Sequence, residues 1–132
     1  MTETGLHAFE YALLRVMPRV DRGELMNAGV LLYCRPMRYL GAGVELDTGR
    51  VLALDPGADL DGSDRALAAV IQVCEQRPSA GAAGQQDLGR RFRWLTAPRS
   101  TVVQPGPVHT GLTADPPAEL ARLVEALVRL PR

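Results

Sequence analysis

The sequence contains no lysine: all fifteen basic side chains are arginine, and fifteen acidic ones balance them to a formal net charge of zero. A balanced chain does not grip nucleic acid or an anionic membrane through its overall field, because such binding rests on clustered positive charge. That disfavours nucleic acid as a partner and leaves only a local basic patch open. Isoleucine occurs once, at Ile71, and with the missing lysine this reflects GC-rich coding rather than function. One physical consequence remains. Any cationic site here is built from guanidinium forks, which pair bidentately with carboxylates and phosphates.

Long hydrophobic runs are also absent. The longest, Ala28 to Cys34, is far too short to cross a bilayer, and Met1 to Thr4 has neither the positive start nor the apolar stretch of a secretion signal. The reading is a cytoplasmic protein with no membrane partner. Only two cysteines occur, Cys34 and Cys74, each in an apolar stretch and neither in a Cys-x-x-Cys pair, so both read as buried reduced thiols. His7 and His109 are equally isolated. Zinc ligation needs close ligand pairs, and no metal is expected. Gly41 and Gly43 form Gly-x-Gly without a third glycine or a lysine, which excludes dinucleotide and P-loop fingerprints, and no Gly-x-Ser-x-Gly elbow surrounds Ser63 or Ser100. No cofactor is expected. A phosphodiesterase with paired histidine motifs would need two equivalent copies, and His7 has no hydroxyl partner at the spacing found beside His109.

What is present is a chain of 132 residues, 46% hydrophobic, enough for one domain over residues 1–132 with its own core. From Phe9 to Met17, Phe9, Tyr11, Leu13 and Met17 alternate with Ala12, Leu14 and Val16, which predicts a strand buried on both faces. Leu25 to Cys34 is almost continuously apolar apart from Asn27, as in a central strand. These two form an antiparallel pair, and Tyr39 to Leu46 adds a third strand. Val51 to Leu54 reads as an edge strand or one helical turn. A helix is predicted over residues 64–76 behind Asp61 and Ser63 as caps, a mobile surface loop over 77–86, and a short helix carrying Leu88, Phe92 and Leu95. Thr101 to Gln104 is a short strand, Val108 to Leu112 an extended or looped piece, and Asp115 with Pro116 starts a final helix with a broad apolar stripe. The order excludes a doubly wound fold. It predicts an α+β domain, mainly an antiparallel sheet with two or three helices packed on one face.

The densest polar segment is Arg90 to Gly111. Its functional reading is an anion site, with Arg99 as the fork, Ser100 and Thr101 as hydroxyl donors and His109 as donor or general acid/base, on a binding surface that also takes in Arg91, Arg93 and Thr110. The alternative is that the arginines pair with structural carboxylates and the hydroxyls close turns. Trp94 reads as a packing residue. A second cluster joins Arg22, Glu24 and Asn27, where an amide inside an apolar strand needs a hydrogen-bond partner, from nearby backbone or from a ligand.

Arg22-Gly23-Glu24 followed by Asn27 to Leu32, and above all Phe92 to Leu95 with Ala97 to Gln104 and Pro107 to Gly111, resemble the bacterial domain of unknown function 3037 family over nearly the whole chain. The resemblance implies a grouping rather than an activity. It also implies a partner, since genes of this family often lie beside those for HipA-like kinases. The expected function is accordingly a non-enzymatic binding or accessory module, acting with a HipA-like kinase through an Arg/His-rich anion-recognition surface. The alternative is a small phosphate-handling enzyme acting on a nucleotide or RNA end, with His109 as acid/base and Arg99 as phosphate clamp. The stripe of the final helix could also pack against a second copy, as a homodimer.

Overall fold

Strand β1 (His7–Val16) sets the centre of the sheet through its two-residue period. Leu14 and Val16 face one apolar cluster, while Phe9, Tyr11 and Leu13 face another on the opposite side. The computed structural model describes residues 5–76, 78–99 and 101–131, and within them all strand pairings are antiparallel. Strand β2 (Met26–Cys34) pairs with β1 on one side and with β3 (Tyr39–Val44) on the other. The far edge of β1 is shared by two short strands. β4 (Val103–Pro105) pairs with Leu14 to Val16, and β5 (His109–Thr113) pairs with His7 to Tyr11. Together they form a single strand position broken between Gly106 and Val108.

The uninterrupted apolar reading of β2 has a geometric cause. Leu14 opposes Gly29 and Arg15 opposes Asn27, so Ala28 is an extra residue, a β-bulge. The bulge reverses the alternation: Met26 and Ala28 share a face with Leu31, while Val30, Leu32 and Cys34 turn to the other. Both faces are covered there, which is why the strand carries almost no polar residue.

Three helices cover the first face: α1 (Thr48–Leu54), α2 (Leu60–Cys74) and α3 (Leu88–Thr96). They bury Val51, Leu67, Val73, Phe92 and Leu95 against Leu14, Val16, Met26 and Leu31. Each of the large side chains contributes about 1.5–3 kcal/mol relative to exposure. Helix α4 (Pro116–Leu127) covers β2 and β3 on the second face, with Leu120 and Leu123 on Val30 and Leu32. The α+β reading with an antiparallel sheet and three helices on one face therefore holds, with a fourth helix on the other.

All four helices begin in the same way. Asp47, Asp59, Asp87 and Asp115 each accept a hydrogen bond from the backbone N–H three residues on, at Arg50, Gly62, Arg90 and Ala118, each cap contributing about 1 kcal/mol. Helix α2 thus starts four residues before the predicted helix, because Asp59 rather than Asp61 or Ser63 is the cap. Val51 to Leu54 belongs to a helix and not to an edge strand. The predicted loop over 77–86 contains two 3₁₀ turns in Pro78–Gln85, joined at Gly81 with φ +67°, and Ala80 and Ala83 pack on the core.

Candidate functional site

Helix α3 is short and strongly amphipathic, and it places its arginines in three different environments. Arg91 follows the buried stripe and is only 3% exposed. Its Nη1 donates to the carbonyl oxygens of Val73 at 2.9 Å and Cys74 at 2.7 Å, and its Nε donates to that of Gln86 at 2.9 Å. A guanidinium here satisfies the orphan carbonyls at the C-terminus of α2, where the helix dipole also favours a cation. Arg93 reaches the sheet instead: Nη2 donates to Glu10 Oε1 at 3.1 Å and Nη1 lies 2.8 Å from Oε2, and Glu10 raises its pKa. The Arg90 side chain is exposed and has no carboxylate partner among the described residues.

These side chains border a groove of about 1140 Å³. Its floor is a row across three strands on the first face, since Glu10 stands opposite Tyr33 on β2 and opposite Thr110 on β5. One wall is the first turn of α3, from Asp87 to Arg91, whose Phe92 stacks on Tyr33 at 5.2 Å between centroids. The other wall is the β2–β3 turn, which contributes Arg35 and Arg38. That turn is closed by Arg38 N–H donating to the Arg35 carbonyl at 3.1 Å. Arg38 sits at φ +51°, a left-handed conformation uncommon outside glycine. Five arginines and two carboxylates, Glu10 and Asp87, line the groove. Arg35, Arg38 and Arg90 are exposed and without ion pairs among the described residues.

The residues singled out in the sequence do not converge on one place. Arg93 and Thr110 line the groove. Arg91 lines it too, with its guanidinium committed to backbone carbonyls. Arg99 stacks over the Trp94 ring at 4.6 Å and donates to the carbonyls of Trp94 and Ala97, so it closes the C-terminal end of α3. Thr101 donates to the Val103 carbonyl at 2.6 Å. Ser100 lies outside the described residues. His109 neighbours Thr110 in sequence, but its side chain falls on the second face, against Tyr11 at 5.2 Å. No contact joins it to Arg99 among the described residues, and the two lie on opposite sides of the sheet. Arg22 pairs with Glu24 at 2.5 Å on the surface, and Asn27 Nδ2 donates to the Leu127 carbonyl at 3.0 Å. That last partner, one hundred residues away at the end of α4, ties the helix to the sheet.

Arg35, Arg38, Glu10 and Tyr33 were not singled out in the sequence, and Arg90 entered only as the start of the polar segment Arg90 to Gly111. The available signal was Arg35-Pro36-Met37-Arg38, which puts an arginine at each end of a tight turn between two strands. The model of the family described as Protein of unknown function (DUF3037) matches residues 11–128, a span that begins within β1 and includes the arginine turn, α3 and β5. The chain belongs to the DUF3037 family. No curated protein and no solved structure matches it.

The groove of this family member presents guanidinium, carboxylate and hydroxyl groups. Among the described residues, no cluster of three or more His, Cys, Asp or Glu side chains is placed to hold a metal ion. No helix among them is long and apolar enough to cross a membrane. Burial pushes the Cys74 thiol up to about 12, against a smaller lowering by Arg91, which favours its protonated form at neutral pH. The groove can hold an anion with guanidinium forks and offers the Thr110 and Tyr33 hydroxyls beside them.

Proposed function

We propose that the protein is a binding module that holds an anionic, phosphoryl-bearing ligand in the groove between the β2–β3 turn and the start of α3. The observation that carries this reading is the grouping of Arg35, Arg38 and Arg90, exposed and unpaired among the described residues, around one concave surface. Like charges gathered in a cleft repel one another and focus positive potential, which an arriving anion offsets. A phosphoryl group presents up to three strong acceptor oxygens to such forks. The left-handed backbone of Arg38 adds support, since glycine would adopt it without steric cost and the position instead carries a charge into the groove. Arg93 occupies Glu10 at the floor with both of its terminal nitrogens, so that carboxylate does not meet the ligand as an unpaired charge.

Calorimetric titration with tripolyphosphate tests the reading. Wild type should bind with an affinity that falls as salt rises, and an Arg38→Ala, Arg90→Ala double variant with unchanged melting should lose at least about tenfold. Absence of binding by the folded wild type would sink the proposal. The protein partner to test first is a HipA-like kinase, which should co-purify with wild type and not with the double variant.

A further inference from the structure

The arginine groove opens sideways onto a sheet edge that no further strand covers among the described residues. β5 pairs with β1, and among the described residues no helix makes more than marginal contact with it. Its five residues carry no carboxylate, lysine, arginine or proline, the features that usually block a strand edge from pairing further. Leu112 is 60% exposed on the face that holds the groove.

The direction of the free backbone groups follows from two hydrogen bonds farther along the same edge. Met17 N–H donates to the Val102 carbonyl and Gly106 N–H to the Leu13 carbonyl, both at 2.8 Å. Odd-numbered residues of this strand therefore direct their backbone groups toward β4 and β5, and even-numbered ones toward β2. In the β5 register the bonded pairs are then Tyr11 with His109, Phe9 with Gly111, and His7 with Thr113. The N–H and C=O groups of Thr110 and Leu112 point away from the sheet. Both of these residues carry their side chains on the groove face, and Thr110 lines the groove itself.

We infer that the ligand is a phosphorylated protein segment that adds to β5 as an extended strand and places its phosphoryl group against the groove arginines. The open edge supplies backbone hydrogen bonds, Leu112 supplies apolar contact for an alternate side chain, and the arginines supply the charge complement. This assignment rests on the groove reading above and deepens it. A nucleic acid would use the arginines but has no complement for the strand edge.

The test uses an immobilised library of short degenerate peptides with a central phosphothreonine, the same library without phosphate, and an oligoadenylate RNA. Wild type should retain the phosphopeptides at least about tenfold better than the other two, and tripolyphosphate should compete them off. A Leu112→Pro variant removes one outward N–H and leaves the β1 pairing in place; it should lose phosphopeptides at least about tenfold and keep its tripolyphosphate affinity. Amide hydrogen exchange gives a second readout that needs no variant: Thr110 and Leu112 should exchange rapidly in the free protein and become protected with bound phosphopeptide. Preference for RNA, retention without protection of these two amides, or tripolyphosphate binding without peptide binding each overturns the strand addition and leaves the groove reading standing. Failure to bind tripolyphosphate overturns both.

Discussion

Arg91 Nη1 lies 2.7 Å from the carbonyl oxygen of Cys74, so the C-terminus of α2 is closed by a buried side chain from the next α-helix. The same guanidinium bonds Val73 and Gln86, and among the described residues it is the one arginine in the core. Truncating it leaves these carbonyls without that donor inside the protein, a cost that exceeds the loss of a surface contact. Arg91→Leu is expected to lower stability by about 3 kcal/mol, measured by urea unfolding, while Arg90→Leu should change it by less than about 0.5 kcal/mol.

The close approach of β2 to β3 gives a second expectation. A Cβ on Gly29 would stand 2.8 Å from the Gly43 carbonyl oxygen and 3.1 Å from Val44 Cγ1. The first of these is backbone and cannot rotate away. A Cβ on Gly43 would meet Val124 Cγ2 at 2.7 Å, and that methyl can be relieved by a small shift of α4. Gly29→Ala should therefore cost about 1–3 kcal/mol and Gly43→Ala less, in paired thermal melts.

Arg38 separates stability from binding. Its φ of +51° is strained for any residue with a Cβ and free of strain for glycine. Arg38→Gly should leave the melting temperature equal or higher while weakening tripolyphosphate binding as much as Arg38→Ala does. A glycine variant with full affinity would remove Arg38 from the site.

Asp87 has two roles that one substitution divides. It caps α3 by accepting from Arg90 N–H at 2.9 Å, and it brings a negative charge into the groove. Asparagine caps helices as well as aspartate does. Asp87→Asn should hold stability within about 0.5 kcal/mol and tighten anion binding several-fold, read by the same titration.

The buried Cys74 thiol makes stability pH-dependent on the alkaline side. In the unfolded chain it releases its proton near 9.0, whereas burial holds it in the folded chain to about 12. Between these values the unfolded state binds fewer protons, so stability falls as pH rises, by at most about 1.4 kcal/mol per pH unit from this group. Burial raises Tyr39 as well, which adds in the same direction above its ordinary range. Unfolding free energies from pH 8 to 11 should fall less steeply in Cys74→Ala than in wild type.

Some of this architecture was legible because period and capping are local properties. The alternation around Leu13 and Leu14, the apolar run of β2, and Asp115-Pro116 ahead of Leu120 and Leu123 each reflect the burial of a strand or helix face, and the structure has those elements. Asp59 was harder to read, since Asp61 and Ser63 nearby have the same capping chemistry and only the chain path selects among them. β5 was ambiguous for a different reason: with three of its five residues exposed, it carries no burial pattern to read.

By itself the sequence determined the balanced charge, the all-arginine cationic chemistry, the α+β order of elements and the strands that must be buried. Tertiary structure alone decided the fate of each arginine. Arg90, Arg91, Arg93 and Arg99 are close in sequence, yet they end in solvent, in the core, on Glu10 and on Trp94. A helix turns each residue by about 100°, and what lies at each angle is set by packing against β1, β2 and α2. The groove joins Glu10, Tyr33, Arg35, Arg38, Arg90 and Thr110 because antiparallel pairing brings distant segments into register. No local pattern encodes which residues will meet there.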